Sequence, residues 1–432
     1  MCAVTGAILF TTGALLAFAL VSQRLATTSI TGPIVFVALG LLASSGGLGI
    51  IDSESVDVTS VVDLVFQGTL ILILFTDAAA LNFSSWRKDA ALPGRLLGIG
   101  LPLTIALGAV AAALLFTDLD FWEAAIIGAI IAPTDAALGQ AVISNPRVPA
   151  RIRQALDVES GLNDGVSLPF VLIFIGLAEA EGGTGVLETF ISEIGIAVGV
   201  GLGVGLVGGW LLIRASKAGW MGSVWSSLAV IALAVIAFVV ADEAGGSGFI
   251  ATFVAGLSYG QFTRGRIEEN EALAANLGTG LVQVSFLLFG ALVLEPAFGA
   301  ISWQVLVMAA LALTITRIGP VAVSMIGEKL SVPTILYLGW FGPRGLATIV
   351  FAALVVKQAD LAGVETITTV AAITVGTSVL LHGLSAYPGS QRYADWCASS
   401  EDPSTLPEAK PVHRHRLRLR LRQTTPKAAQ AE

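Results

Sequence analysis

The sequence is poor in the side chains that hold metals or form disulfides. It has two cysteines and three histidines among 432 residues. Cys2 and Cys397 lie near opposite ends of the chain, which fits neither a metal-ligand motif nor a disulfide framework. The apolar segments also lack a nucleophile beside a base, which disfavours an enzyme. We therefore expect no catalytic residues, no resident metal and no cofactor.

Charged residues are scarce as well, at 12% of the chain, whereas 55% is hydrophobic. Apolar runs of roughly 18 residues or more, long enough to cross a hydrocarbon core of about 30 Å, recur from Ala7 to near Ala386. This pattern excludes a soluble multidomain protein. The lipid bilayer is the expected surrounding, and nucleic acid is not an expected partner.

The apolar windows predict an all-α polytopic membrane protein with about thirteen transmembrane helices. Residues 1–386 would form the membrane domain, and residues 387–432 a short cytoplasmic tail. The predicted spans are 6–23, 32–51, 58–80, 92–116, 122–143, 155–178, 187–213, 224–241, 246–260, 277–295, 303–326, 333–356 and 364–386.

Basic residues decide the predicted orientation. They fall in alternate loops, which the positive-inside rule places in the cytoplasm, and Lys357 is the only exception. With an odd number of spans, the N-terminus is expected outside the cell and the C-terminus in the cytoplasm. The expected location is the cell (inner) membrane. The Arg/Leu alternation from Arg414 to Arg422 either contacts anionic headgroups or is an ordinary positive tail. The cytoplasmic set is Arg24, Arg87, Lys88, Arg95, Arg147, Arg151, Arg153, Arg214, Lys217, Arg264, Arg266 and Lys329.

Ionisable side chains inside the predicted spans are few. Each costs roughly 2.5–3.5 kcal/mol on insertion scales, so its presence calls for a partner, a wet cavity or a function. Four are acids and two are guanidinium groups. They are Asp77, Asp135, Glu159, Asp164, Arg317 and Arg344.

The fifth and sixth predicted helices carry adjacent groups of oxygen ligands. In the segment Ala132–Asp135, the proline frees a backbone carbonyl about one turn earlier and lets the helix open beside an acid. On the sixth helix, Ser160 and Asp164 share one face. Glu159 and Asn163 share another.

The twelfth predicted helix is interrupted in the same way, at Gly342–Gly345. It lies seven helices after the fifth and so runs in the opposite direction, which indicates inverted repeats. Two broken helices that cross near the midplane are a sequence pointer to the binding site of a transporter. The buried acids converge on the same region.

Hard cations such as Na⁺ prefer carboxylate, carbonyl, hydroxyl and water oxygens. Asp164, Asp135, Ser160 and Thr134 can supply such oxygens without sulfur or imidazole. Carboxylates crowded in a low-dielectric place also bind protons, because crowding raises the proton affinity of at least one of them. A site that binds either Na⁺ or H⁺ is the minimum that an exchanger needs.

Other interpretations stay open at several positions. Glu159 and Arg317 can form a structural ion pair. Arg344 can stabilise or gate the broken helix, and it is not expected to bind the cation directly because its charge repels a cation. Asp77 fits a snorkelling or capping role as well as a place on the ion path. His382, in the last predicted helix, is a packing residue or a pH sensor.

These motifs resemble the cation/proton antiporter family, specifically its NhaP branch, which is similar to animal sodium/proton exchangers. The resemblance spans nearly the whole hydrophobic region. After Asp77 the chain departs from the family pattern, with alanines where relatives commonly have glycines. The signatures are Ala132–Asp135, Glu159–Gly165, Thr316–Arg317 and Gly342–Gly345.

The resemblance implies a homodimer of thirteen-helix protomers with an NhaA-like fold, each with a dimerisation part and a six-helix core part that moves like an elevator. It implies that Asp164 binds the ion, surrounded by Asp135, Thr134, Ser160 and Glu159. It also implies that Glu159 pairs with Arg317. Asn163 before Asp164 is typical of the electroneutral branch.

The expected function is therefore the electroneutral exchange of one Na⁺, or Li⁺, for one H⁺. The alternative is the same architecture carrying K⁺ or several monovalent cations, because oxygen ligands alone do not fix the ionic radius. A cation channel is a further alternative. It would pass current without obligatory proton movement.

Overall fold

The computed structural model describes residues 2–25, 28–51, 63–81, 91–135, 137–179, 186–264, 272–358, 361–399 and 406–410. Across these ranges the regular structure is helical, with no strand. The helices of the first part are α1 Cys2–Leu25, α2 Gly32–Ala43, α3 Gly68–Ala80, α4 Ala91–Leu115, α5 Phe121–Ile130, α6 Gln140–Ser144, α7 Ala150–Glu179 and α8 Val186–Lys217.

The second part continues in the same manner. Its helices are α9 Ser223–Glu243, α10 Gly248–Thr263, α11 Ala272–Phe289, α12 Trp303–Leu313, α13 Ile315–Ser324, α14 Val332–Trp340, α15 Leu346–Gln358 and α16 Val364–Ala398. Shorter turns are the π-helical Asp63–Gln67, Leu96–Gly100 (within α4) and Gly290–Leu294, the α-turn Glu295–Ala297, and the 3₁₀ turns Phe298–Ala300 and Pro407–Ala409.

Eight of the described helices are long and apolar enough to cross a membrane. Four shorter apolar helices add Gly32–Ala43, Leu64–Ala80, Phe121–Ile130 and Leu346–Lys357. The prediction of an all-α polytopic membrane protein is thus confirmed. The eight are Thr5–Leu25, Ala91–Leu115, Ala150–Glu179, Glu188–Lys217, Val224–Glu243, Leu273–Ala300, Trp303–Ser324 and Val364–Ala398.

Large aromatic side chains mark the ends of these helices. Trp220 is exposed between α8 and α9, Trp225 is exposed in the first turn of α9, and Phe121 and Trp303 are exposed where α5 and α12 begin. Aromatic rings with one apolar and one wet side collect at membrane interfaces. Their positions are therefore those expected of helices that end near the headgroups.

Close helix contacts replace the hydrophobic drive that lipid does not supply. α10 packs against both α8 and α3. A Cβ at Gly260 on α10 would lie 2.1 Å from the carbonyl oxygen of Ala79 on α3, which leaves room only for glycine. Small residues at such crossings let the backbones approach, and dispersion contacts then stabilise the bundle.

Several predicted boundaries were wrong. The predicted helix 32–51 ends at Ala43, because Ser44, Ser45, Gly46 and Gly47 are weak helix formers and form turns. The predicted span 303–326 divides at Thr314, whose φ of −122° and ψ of −93° separate α12 from α13.

The last helix, predicted to end at residue 386, continues to Ala398. Its extension packs Tyr393, Ala394 and Cys397 against the ends of α7 and α14 in an apolar cluster. Burial of these side chains explains why the helix outlasts its hydrophobic run. Parts of the charge argument lie outside the described residues, namely Arg87, Lys88, Arg266, and Arg414 to Arg422.

The two predicted helices that contain Pro133 and Pro343 are each divided. α5 begins with a capping box, in which Asp120 accepts from the backbone of Glu123 and the Glu123 side chain accepts from the backbone of Asp120. It ends at Ile130, and α6 begins only at Gln140. α14 and α15 are separated by the non-helical residues 341–345. Each break exposes polar backbone groups inside the bundle, and these groups need partners.

Candidate functional site

The two breaks meet. The backbone N–H of Asp135, in the break after α5, donates to the carbonyl oxygen of Pro343, in the break before α15, over 2.7 Å. Each interrupted backbone segment thus supplies a hydrogen-bond partner for a polar backbone group of the other segment. The hydrogen bond fixes the crossing point of the two segments.

The carboxylate of Asp135 caps the second half of the broken pair. Its Oδ2 accepts from the backbone N–H of Leu346, the first residue of α15, over 3.0 Å. Its Oδ1 accepts from the N–H of Ala137 over 2.8 Å. A Cβ at Gly345 would lie 2.0 Å from Oδ2, so glycine is required there. An anion at this helix N-terminus is stabilised by the free N–H groups and by the helix dipole.

Thr134 joins the break to α7. Its hydroxyl lies 3.1 Å from the Ser160 hydroxyl and accepts from the Nδ2 of Asn163 over 2.6 Å. All three side chains are buried. Asn163 Oδ1 is also buried, and no group in the described part of the chain donates to it. A buried amide oxygen beside two hydroxyls is a site for a donor or a hard cation.

The two remaining acids lie at different distances from the crossing. Asp164 directly follows Asn163 on α7, so its Cα lies near the level of the hydroxyl cluster, and its side chain is half-buried. Asp77 is half-buried near the end of α3, which packs on α10 and α11. The geometry thus brings together Thr134, Ser160 and Asn163, with Asp164 adjacent to them, and leaves Asp77 on a separate helix.

Glu159 and Arg317 form a bidentate ion pair. The two guanidinium nitrogens lie 2.5 and 2.7 Å from the two carboxylate oxygens, and both side chains are 2% exposed. The pair joins α7 to α13. Such parallel N–H···O bonds add directional specificity to the charge attraction. Because each charge is matched by its partner, the pair braces α7 against α13 beside the hydroxyl cluster.

Arg344 is fully buried in the break before α15, and its side chain contacts the break after α5. Its guanidinium donates to the carbonyl oxygens of Ala132 and Pro133, and to that of Ala312 over 3.2 Å. These carbonyls follow α5 and close α12, where the helices leave acceptors free. The carbonyls of Ala132 and Pro133, beside the break after α5, therefore already accept from this arginine.

One contact was missed by the sequence reasoning. The backbone N–H of Arg344 donates to the hydroxyl of Ser378 on α16 over 2.7 Å. A signal was available, because Thr374, Ser378 and His382 recur every four residues along an otherwise apolar helix and so share one face. That face lies against the break between α14 and α15.

The family model described as "Sodium/hydrogen exchanger, transmembrane" matches residues 9–388. The chain belongs to this family. The exchanger family is therefore the one that the motifs indicated. The matched region includes both breaks and the whole of α7, so every residue of the crossing lies within it.

Curated relatives carry two different cation names. The K(+)/H(+) antiporter NhaP2 of Shewanella sp. (strain MR-4) is 30% identical over 389 residues, which is 87% of this chain and 65% of that protein. A Na(+)/H(+) antiporter of Saccharomyces cerevisiae is 27% identical over 263 residues, 56% of this chain and 26% of that protein. The exchanger chain described here thus spans less than two thirds of the length of either relative.

A solved structure shares the fold. The sodium proton antiporter MjNhaP1 from Methanocaldococcus jannaschii at pH 8 superposes with a TM-score of 0.75 and 21% sequence identity. The match covers 91% of this chain and 99% of that one. The exchanger therefore has the fold of that antiporter.

Proposed function

We propose that this exchanger is an antiporter that moves one monovalent alkali cation in one direction for one proton in the other. The observation that carries the proposal is the crossing itself. There, the hydroxyl of Thr134 lies beside Ser160 and Asn163 of α7, and Asp135 and Asp164 are the next residues along the two segments. Broken helices with carboxylates at their crossing are what a transported cation needs.

The proposed cation ligands are oxygens of Asp164, Asp135, Ser160 and Thr134. A cation of this class binds when Asp164 is deprotonated, and a proton replaces the cation when the site releases it. The two substrates compete for one carboxylate, which couples their movements. Asn163, in the position before Asp164, contributes no second titrating acid, and this supports exchange without net charge movement.

The surrounding charges serve as scaffold in this proposal. Glu159 is occupied by Arg317, and Arg344 is held by backbone carbonyls, so neither arginine is presented to the cation. In this proposal the Asp135 carboxylate contacts both the cation and the N-terminus of α15. Cation binding would therefore change the contact between Asp135 and the second broken helix.

The larger framework of the proposal comes from the resemblance. It comprises about thirteen spans in inverted repeats, a homodimer, and an elevator movement of the six-helix core part. It also places the N-terminus outside, the C-terminus in the cytoplasm, and the chain in the cell membrane. Asp77 and Arg344 would tune or gate the movement.

Na⁺ or Li⁺ is the first candidate substrate, and the solved antiporter with the same fold is named for sodium. K⁺ is the second candidate. Its support is that relatives at about 30% identity are named K(+)/H(+) antiporters. The described ligands are oxygens for either cation, so the choice depends on the size of the cavity that they enclose.

The test is the dissipation of a preset pH gradient in proteoliposomes on addition of Na⁺, K⁺ or Li⁺, at zero and at imposed membrane voltage. Asp164→Asn should abolish the response, whereas Asp242→Asn, at an exposed end of α9, should leave it unchanged. Exchange that depends on voltage would contradict the electroneutral proposal. Current without proton movement would indicate a channel instead.

A further inference from the structure

One face of α16 contacts both ends of the break between α14 and α15. Ser378 accepts the backbone N–H of Arg344, just before α15 begins. Ser385 accepts the indole N–H of Trp340, the last residue of α14, over 2.9 Å. Between them, the ring of His382 lies against the Trp340 ring, with centroids 4.9 Å apart. A single rigid helix face therefore spans the interruption.

Ser378 and His382 form a buried pair on this face. The hydroxyl of Ser378 lies 3.1 Å from Nδ1 of His382, and the two side chains are 0% and 1% exposed. This hydroxyl accepts the Arg344 N–H, and Nδ1 of His382 also lies 3.2 Å from the carbonyl oxygen of Ser378. The other ring nitrogen, Nε2, is buried and has no hydrogen-bond partner among the described residues. Nδ1 is therefore the ring nitrogen that contacts Ser378.

The break held by this pair is the one that orients the candidate cation ligands. The Arg344 guanidinium donates to the carbonyl of Pro133, directly before Thr134. The neighbouring Pro343 carbonyl accepts the Asp135 N–H. A shift of the backbone at Arg344 would thus be transmitted to both ligands through hydrogen bonds rather than through side-chain packing. Distances of about an ångström matter at such sites.

We infer that Ser378 and His382 are positioning residues for transport: His382, through Nδ1, orients the Ser378 hydroxyl, and that hydroxyl fixes the extended segment that places Asp135 and Thr134. Neither side chain touches the cation in this assignment. The inference rests on the proposed function, because it concerns the same site. It predicts effects on cation affinity that a purely structural role would not produce.

The experiment compares apparent KM and maximal rate for the cation in proteoliposomes. Ser378→Ala should raise the KM about three- to tenfold with little loss of maximal rate, as expected for one lost positioning hydrogen bond. The matched control is Thr374→Val, one turn away on the same helix. Thr374 is fully buried, and no described residue bonds its hydroxyl. It should retain the wild-type KM.

Two substitutions at position 382 separate the ring nitrogens. An asparagine amide occupies nearly the position of Nδ1, and a glutamine amide nearly that of Nε2. His382→Asn should therefore keep the KM within about twofold of wild type, and His382→Gln should match Ser378→Ala. If Ser378→Ala does not fold, this pair still decides the question, and Ser378→Thr should restore a wild-type KM.

Unchanged KM in both Ser378→Ala and His382→Gln, in folded protein, would overturn the inference. Equal effects of Ser378→Ala and Thr374→Val would also overturn it, because they would indicate general packing of α16. These failures differ from failure of the proposed function, which would appear as no cation-driven proton movement in wild type or as full activity of Asp164→Asn.

Discussion

Three glutamates are buried in the described part of this exchanger, and the surroundings of two of them, Glu159 and Glu408, stabilise the carboxylate by different means. Glu159, on α7, is 2% exposed and is held by both nitrogens of the Arg317 guanidinium. Glu408, beyond α16, is 0% exposed and accepts from the Ser331 N–H, the Ser331 hydroxyl and the Thr334 hydroxyl, at 2.6–2.8 Å. Inside the bundle, the Glu159 carboxylate is matched by an opposite charge. At the end of the bundle, the Glu408 carboxylate is stabilised by hydroxyl groups and a helix N-terminus.

The second region also shows how residues 406–410 are attached to the helices. Ser331 is the N-cap of α14, so Glu408 adds a second acceptor at that helix start. Arg151, in the first turn of α7, donates to the carbonyl of Pro407 over 2.9 Å and to Glu328 over 2.8 Å. Residues 406–410 therefore bridge α7 and α14, the helices that carry or adjoin the candidate site.

The largest effect should follow from breaking the charged pair. Arg317→Ala leaves the Glu159 carboxylate buried without its partner, which should cost about 3–5 kcal/mol. The yield of folded protein and its thermal midpoint should fall sharply. The control is the double variant Glu159→Leu with Arg317→Met, which removes both charges and should recover much of the stability. An Arg317→Ala protein as stable as wild type would refute the role of the pair as a brace.

The next effect concerns the crossing rather than the pair. Gly345→Ala would place a Cβ 2.0 Å from Asp135 Oδ2, so the carboxylate or the break must move. Cation-driven proton movement should fall at least about tenfold, because the displaced ligand cannot be replaced. Gly319→Ala on α13 is the matched control, since its Cβ would have no neighbour within 4 Å. Equal transport rates for the two variants would show that this close contact is dispensable.

Glu408→Gln should have an intermediate effect on stability, about 1–3 kcal/mol, because hydrogen bonds to a buried charge are weakened. Burial by itself raises the pKa of Glu408, but the hydrogen bonds from Ser331 and Thr334 outweigh it and hold the pKa below its ordinary value. A lowered pKa means that the stabilisation is fully present above the ordinary carboxyl range. It is lost as pH falls through the lowered pKa.

The measurement for Glu408 is the difference in thermal midpoint between wild type and Glu408→Gln across pH. The difference should be constant at neutral pH and shrink in acid. Glu365→Gln, at an exposed position in the first turn of α16, is the control and should show little difference at any pH. A difference that grows on acidification would contradict the sign derived for Glu408.

The smallest effect is expected at the surface. Arg147 and Asp395 form an ion pair in which the side chains are 52% and 63% exposed. Asp395→Asn should therefore change stability by no more than about 1 kcal/mol. Added salt should remove the difference from wild type, because exposed charges are screened. A salt-independent loss of several degrees in thermal midpoint would show that this exposed pair stabilises the protein as the buried Glu159–Arg317 pair does, which would contradict the prediction.

The sequence predicted much of this arrangement because its signals are local. Proline near a charged residue in an apolar span indicated the breaks near Pro133 and Pro343, and both helices are interrupted there. A charged side chain inside a span calls for a partner, so Arg317 could be matched with one of few acids. The family match then confirmed the kind of protein that these motifs indicated.

Other features depended on distances that a sequence does not contain. That Asp135 caps α15 follows from the angle at which the two breaks cross, and that Arg344 reaches the Pro133 carbonyl follows from the same crossing. The docking of Glu408 on Ser331 joins residues far apart in a polar stretch with no periodicity. The end of α16 was missed because its last turns are held by packing rather than by hydrophobic composition.

The central claim is that a cation and a proton compete for Asp164. The most direct measurement is proton release from purified protein in weakly buffered solution when Na⁺, K⁺ or Li⁺ is added. Wild type should release up to about one proton per chain as the site fills, and Asp164→Asn should release none. Cation binding without proton release in wild type, or equal release from Asp164→Asn, would contradict the claim.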